Sequence, residues 1–416
     1  MRVAVAITGP DADAARAMLT AAGHEVHSSL SIGSCNLIVV DEWTPETAPV
    51  VQEARAHGIP VTILAELILD RARGPVVGIT GTAGKTSTAR ALADLLGHSG
   101  VPHAISHSAR SSNAWPDHSL AHGTPDGAVL IAELTSTHLC HMRHVHPDVA
   151  VITTIRPDHA ELHGGLARYV DAKRRIVAEL TDEDSVVLPS DDPETLRQLG
   201  PVTARRWSFG STDPNERGAF ATDRELVLRD DDGCLVATMP TPRGPARRSI
   251  AAAASTALAL GVGRSQVAEA LEHVRPVPHR LNTVVTADGP TLIDDTMAAT
   301  PMKALTGIRA VAARRPVIIV GGDDAPGEER VHHTREEESV LADAVRAARS
   351  HATALLAFGP AAARVERYVT VDAVLPDIVT ALQAGLAAAG RDGVVLVSPM
   401  FPMRPEERMM VAEAGR

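Results

Sequence analysis

The stretch Val76-Val77-Gly78-Ile79-Thr80-Gly81-Thr82-Ala83-Gly84-Lys85-Thr86 constrains the fold more than any other part of the chain. Val76–Thr80 reads as a strand, and Thr86–Leu96 has the periodicity of a helix. A strand feeding a helix through a glycine loop predicts an α/β layer, in which crossovers join parallel strands. Glycines let backbone N–H groups turn inward, the helix N-terminus adds partial positive charge, and Lys85 can meet β/γ-phosphates. Thr86 can ligate Mg²⁺. Candidate triphosphate-binding residues are therefore Gly81, Thr82, Ala83, Gly84, Lys85, Thr86 and Ser87. The spacing departs from the strict phosphate-loop pattern, because Ile79 stands five before Gly84 while Gly78 and Gly81 flank it. A bland glycine turn with a surface lysine is the competing reading; the following Thr86-Ser87-Thr88 and the flanking elements weigh against it.

The same alternation precedes and follows this unit. Strands are predicted at Arg2–Ile7, Leu37–Val40 and Val61–Leu64, with helices at Asp11–Ala22 and Glu46–Ala56. Arg71–Gly74 reads as a linker. After the glycine loop, strands are expected at Ala128–Ala132, Val149–Thr153 and Ser185–Leu188, then two short strands within Gly210–Gly244 and a helix at Ser249–Leu260. A third unit begins near Pro278-His279-Arg280, with strands at Leu292–Asp294, Val317–Val320, Ala354–Ala357 and Val394–Val397. Residues 1–73, 74–278 and 279–416 are the expected domains.

Composition excludes several functions. A net charge of −11 and 2% aromatic residues argue against a nucleic-acid partner, which needs a basic face or stacking platforms. The 3 cysteines, Cys35, Cys140 and Cys234, lie far apart and suggest neither a disulfide framework nor a zinc site. The alanine-rich run Ile250–Val262 is too short to span a bilayer, and the N-terminus has no signal-peptide pattern. A cytoplasmic enzyme without nucleic-acid or membrane partners is the expectation.

Ile79-Thr80-Gly81-Thr82-Ala83-Gly84-Lys85-Thr86 resembles the nucleotide loop of the Mur ligase family, and over most of the chain the similarity is to its muramoyl-alanine:D-glutamate ligase branch. The resemblance implies three α/β domains: an N-terminal acid-substrate domain, a central P-loop ATPase domain and a Rossmann-like C-terminal domain. It implies that ATP phosphorylates a carboxylate and that an amine attacks the acyl phosphate, so the partners are small carboxylates and amines.

Glu133 follows a buried strand, at the carboxyl end where α/β ligand sites collect, and a hard oxygen there suits Mg²⁺. The resemblance gives Glu133 that role, assigns a second Mg²⁺ to His159, and makes Lys173 a lysine carbamylated by CO₂. It also makes Arg280 the residue that reaches nucleotide phosphates and Asp295 the aspartate near the ribose. Lys85, His159, Lys173, Arg280 and Asp295 are thus the candidate catalytic residues, and Thr86, Glu133, His159 and Lys173 the candidate metal ligands. Asn113, Thr135, Met297, Ala325, Ser398 and Met403 are candidate substrate-facing positions.

Several positions depart from the D-glutamate branch. Met297 and Ala299 stand where a lysine and a threonine are expected, Ala325 replaces a lysine, and Met403 replaces a serine. Each change removes a group able to bind a carboxylate, and a buried unpaired carboxylate is costly. With Met400 and Phe401, these residues suggest a more apolar amine pocket, a substrate other than D-glutamate and a role outside peptidoglycan synthesis. The competing reading is that they only pack a diverged domain. Arg247-Arg248-Ser249-Ile250-Ala251 replaces a histidine–asparagine motif and a later asparagine used for adenine, and Thr154 replaces another asparagine. These losses keep open a second reading, a non-catalytic nucleotide-binding relative. The run His138, His141, His144 and His146 reads as a polar helix surface, because no carboxylate or cysteine pair nearby completes a transition-metal set.

Overall fold

The computed structural model describes the chain except residues 8–9, 29–31, 107–119, 121–122, 159, 223, 240–244, 285–288, 324–334 and 415–416. Asn113, His159, Ala325 and the Thr8-Gly9 turn lie outside the described residues. Among the described residues the strands form three sheets, the mixed α/β arrangement expected of the sequence.

The N-terminal sheet has the order β2-β1-β3-β4, all parallel, from β1 (Arg2–Val5), β2 (Glu25–His27), β3 (Leu37–Val39) and β4 (Val61–Thr62). Val3, Val5, Leu37 and Val39 are fully buried with Ala12, Ala15 and Leu19 of the helix Pro10–Ala21, as a crossover layer requires. The chain after β4 turns into a helix, Leu64–Leu69, where sequence periodicity extended the strand to Leu64.

The central sheet has nine strands in the order β13-β12-β11-β10-β9-β8-β5-β7-β6. They are β5 (Val76–Thr80), β6 (His103–Ser106), β7 (Val129–Glu133), β8 (Val149–Ile152), β9 (Ser185–Pro189), β10 (Arg205–Gly210), β11 (Gly218–Ala221), β12 (Glu225–Asp230) and β13 (Gly233–Thr238). Strand β5 lies between β7 and β8, parallel to both, so the chain leaves it at a switch in strand order. That is where a parallel sheet opens a crevice at its carboxyl edge. The segment β11–β13 is an antiparallel meander of three strands where the sequence suggests two.

The N-terminal and central sheets belong to one compact unit, residues 1–155, 159–241 and 247–275. Ile38, Val51 and Ile63 share an apolar cluster with Leu134, Leu139 and Ile155, so the two sheets are joined by buried surface. A second compact unit, chiefly residues 276–416, holds the third sheet. Its order is β14-β15-β19-β16-β17-β18, from β14 (Asn282–Val284), β15 (Thr291–Asp294), β16 (Val317–Gly321), β17 (Ala354–Phe358), β18 (Ala373–Leu375) and β19 (Val394–Met400). All pairs but β14–β15 are parallel. Among the described residues no helix is long and apolar enough to cross a membrane.

Candidate active site

The glycine loop leaves β5 in a conformation that ordinary residues rarely adopt. Gly81 has φ +149° and Gly84 φ +91°, and a Cβ on Gly81 would lie 1.9 Å from Thr153 Oγ1. The loop is therefore closed against the end of β8, with no room for a side chain. Thr153 Oγ1 donates to Ala83 O (2.6 Å), and Thr82 N donates to Thr154 O (2.7 Å), which fixes the loop from its far side. The helix Lys85–His98 follows with Gly84 as its cap residue, so its first turn faces the crevice.

Four candidate residues meet here. Thr86 Oγ1 lies 3.0 and 2.9 Å from the two carboxylate oxygens of Glu133, and both side chains are buried. Strand pairing explains the meeting, since Ile79 sits opposite Glu133 in the β5–β7 register. An anionic carboxylate beside a hydroxyl at a helix N-terminus is a donor set of hard oxygens, which fits Mg²⁺. Lys173 reaches the same loop from the helix Leu166–Ala178 and is only 2% exposed. Its Nζ donates to Gly81 O (3.1 Å), the oxygen that Lys85 Nζ also reaches (2.8 Å). Two ammonium groups drawn to one oxygen repel each other, and an anion seated against them offsets that repulsion.

Tyr169 completes the set, and the motif reading passed over it. Its hydroxyl shares a hydrogen bond with Thr82 Oγ1 (2.7 Å), and Lys173 Nζ lies 4.9 Å above its ring. Tyr169 precedes Lys173 by one helical turn, so spacing places both on one face. Thr153 and Ser249 also went unread. Ser249 Oγ lies 3.5 Å from where a Cβ of Gly84 would stand, which brings the start of the helix Pro245–Ala259 beside the loop. Arg248, next to Ser249, is paired with Asp191 and stacked over Phe209 at 5.2 Å. Thr135, a candidate substrate residue, caps the helix Ser136–His141 and accepts from His138 N (3.1 Å).

The second unit gathers its own candidates. Ser398 Oγ donates to Asp295 Oδ2 (2.9 Å), because β15 and β19 pair in parallel with Asp294 opposite Val397. Burial pushes the Asp295 carboxyl up to about 7, against the opposing pull of the Arg280 charge and the Ser398 hydroxyl. Gly307 makes this approach possible, since a Cβ there would stand 2.3 Å from Asp295 Oδ2. Arg280 is flanked by His279 (φ 61°) and Leu281 (φ 51°), and His279 Nδ1 binds Asp294 Oδ2 at 2.8 Å. Non-glycine residues held at positive φ store strain, which a functional turn often carries.

The residues singled out for an apolar amine pocket are mostly core. Met400 and Phe401 pack with Ile293, Ala298 and Leu396, and Met403 packs with Leu292, Leu356 and Val411. Met297 is partly exposed, and the Arg408 guanidinium rests against its sulfur at 2.6 Å. That neighbourhood therefore holds a cation as well as methionine.

Known proteins resemble the chain in sequence and in fold. Residues 79–239 match the Mur ligase middle domain. The UDP-N-acetylmuramoylalanine–D-glutamate ligase of Chlorobium chlorochromatii (strain CaD3) is 29% identical over 331 residues, covering 75% of this chain and 71% of that protein. The corresponding ligase of Shouchella clausii (strain KSM-K16) is 28% identical over 308 residues, covering 73% of this chain and 67% of that protein. In structure, MurF from Acinetobacter baumannii superposes with a TM-score of 0.65 at 20% identity, covering 99% of this chain and 93% of that one, which establishes fold alone. Residues 79–239 thus carry a match to the Mur ligase middle domain, and over most of its length the chain is similar to Mur ligases, which are ATP-dependent, ADP-forming carbon–nitrogen ligases.

Proposed function

We propose that the chain joins a carboxylate to an amine at the expense of ATP. The carrying observation is the meeting of Thr86, Glu133, Lys85 and Lys173 around one glycine loop. A carboxylate oxygen of the acid substrate attacks the γ-phosphorus, the bond to the β-phosphate oxygen breaks, and ADP leaves. The amine nitrogen then attacks the acyl carbon, loses a proton and expels inorganic phosphate. Lys85 and the loop N–H groups hold the phosphates in line, which is most of what phosphoryl transfer needs. Thr86 and Glu133 would hold Mg²⁺, whose contribution is to neutralise charge on the phosphates.

Finer points belong to the same reading. His159 holds a second Mg²⁺, and Lys173 carries CO₂ as a carbamate that adds an anionic oxygen. Labelling with ¹³CO₂ tests this: a carbamate resonance lost in Lys173→Ala is expected, and an unchanged spectrum refutes it. Arg280 and Asp295 act on the nucleotide phosphates and ribose. The domains run 1–73, 74–278 and 279–416, and the enzyme works in the cytoplasm outside peptidoglycan synthesis. The amine is not D-glutamate, because Met297 and Ala299 lack the charge and hydroxyl that the resemblance expects at those positions. A screen of ADP release over paired acids and amines, with Lys85→Ala as blank, tests the whole. Turnover with an amine other than D-glutamate is expected; robust turnover that depends on D-glutamate overturns the specificity.

A further inference from the structure

The histidine-rich helix Ser136–His141 meets two residues from distant parts of the chain. Glu46, Cys140 and His163 each offer one ligand atom, and these atoms all lie within 4.8 Å of one another. The far side of each nitrogen or oxygen ligand is already tied. Glu46 Oε1 accepts from Arg55 (2.6 Å), while Glu46 Oε2 faces His163 Nδ1 at 3.1 Å. His163 Nε2 is held by Ser136 Oγ at 3.0 Å. Ligands whose outer atoms are fixed and whose inner atoms converge have the layout of a metal centre and its supporting shell.

A second observation comes from His141, which is 3% exposed. Its Nε2 is taken by Thr44 O (2.6 Å), but its Nδ1 is buried with no hydrogen-bond partner. Burial lowers its pKa, and it feels the charges of Glu46 and His163. His141 stands outside the converging set, yet a buried ring nitrogen without a partner, beside Cys140 in the chain, is unusual.

We propose that Glu46, Cys140 and His163 bind a single divalent cation of the zinc class. Ligands at zinc distances in a tetrahedron stand about 3.3 Å apart, close to the Glu46–His163 separation. Sulfur, nitrogen and oxygen together select zinc-like ions over the Mg²⁺ suited to Thr86 and Glu133. Metal binding exchanges the Cys140 thiol proton for the cation. Without a cation, that thiolate is disfavoured, since burial and the Glu46 charge push the thiol up. The Arg55–Glu46–His163–Ser136 chain also ties two of these groups into a structural network, and the Cys140 thiol donates to Thr137 O at 3.2 Å. The ion would tie the loop around Glu46 to the helix that starts just after Glu133.

Cobalt reports on the site directly. The full chain is stripped with a chelator and titrated with Co²⁺ while the near-ultraviolet thiolate-to-cobalt absorption is followed. One Co²⁺ per chain with a thiolate band, erased by one equivalent of Zn²⁺, is expected. Cys140→Ser removes the band and weakens binding at least about tenfold, while Cys35→Ser and Cys234→Ser keep it. Thermal unfolding and ADP release by Cys140→Ser show that the variant folds and that the nucleotide site is intact. No thiolate band in the wild type, or a band that survives Cys140→Ser, overturns the proposal.

Discussion

The crevice around β5 and the carboxyl edge of β15 and β19 each bury a carboxylate, but under opposite conditions. Glu133 is met by a hydroxyl at both oxygens and stands at a helix N-terminus, a setting that suits its charged form and a cation. Asp295 has the Ser398 hydroxyl and the Arg280 charge, yet burial, with Asp294 beside it, prevails enough to raise it to about 7. The first carboxylate is built as a ligand, the second as a group poised between its two protonation states near neutral pH. Met297 and Ala299, which depart from the D-glutamate branch, follow Asp295 in the chain. Under the proposed function, the phosphate-holding groups Lys85, Thr86 and Glu133 are kept, while adenine-side and amine-side positions have both diverged.

The sharpest way to break this contrast is at the loop. Lys85→Ala is expected to lower ADP release about 10²–10³-fold, and Gly81→Ala, which puts a methyl group into Thr153, should abolish nucleotide binding by calorimetry. If either variant keeps near-normal turnover, the crevice is not the activating site. Glu133→Gln keeps the shape but removes the charge, so turnover should fall about 10²-fold and be partly restored by raised Mg²⁺. A fall that Mg²⁺ leaves untouched would point to packing rather than metal binding.

Asp295 gives the corresponding test in the other region. Its pKa is raised on folding, so the folded chain binds the proton more tightly than the unfolded chain between about pH 4 and 7. Its contribution to stability is therefore fully present below the unfolded value of 3.8 and is lost as pH rises through about 7. Thermal unfolding of Asp295→Asn should lack that decline, whereas Glu46, held at about 2 although burial opposes it, loses its contribution only as pH falls below its ordinary value of 4.5. Parallel pH profiles for wild type and Asp295→Asn would remove the contrast. The smallest effect is expected from Tyr169→Phe, which deletes one hydroxyl at Thr82 and leaves the ring under Lys173. A loss of about 1 kcal/mol, or roughly fivefold in kcat/KM, is predicted from steady-state kinetics.

What sequence could reveal followed from how locally each feature is encoded. Strand β5, the loop and the following helix are contiguous, so Gly81–Thr86 announces itself. Glu133 was legible because a buried strand ends on it, and Tyr169 could have been found one turn before Lys173. Thr153, Ser249 and Ser398 meet their partners only through sheet register, which a single sequence does not print. Strands β2, β6, β10, β14 and β18 went unread, four of them with few fully buried residues and so weak periodicity. Met400, Phe401 and Met403 show the opposite failure: apolar residues beside a motif suggested a pocket, and their packing makes them core. The Glu46–Cys140–His163 meeting joins three separated segments, and no spacing rule reaches it.

The central claim is that the crevice makes an acyl phosphate, and hydroxylamine tests it most directly. Purified chain is incubated with ATP, Mg²⁺, the acid that supports ADP release, and hydroxylamine in place of the amine. A hydroxamate formed in step with ADP, and absent with Lys85→Ala, is the predicted result. ADP released without hydroxamate, or nucleotide bound with no turnover for any acid tried, would contradict it.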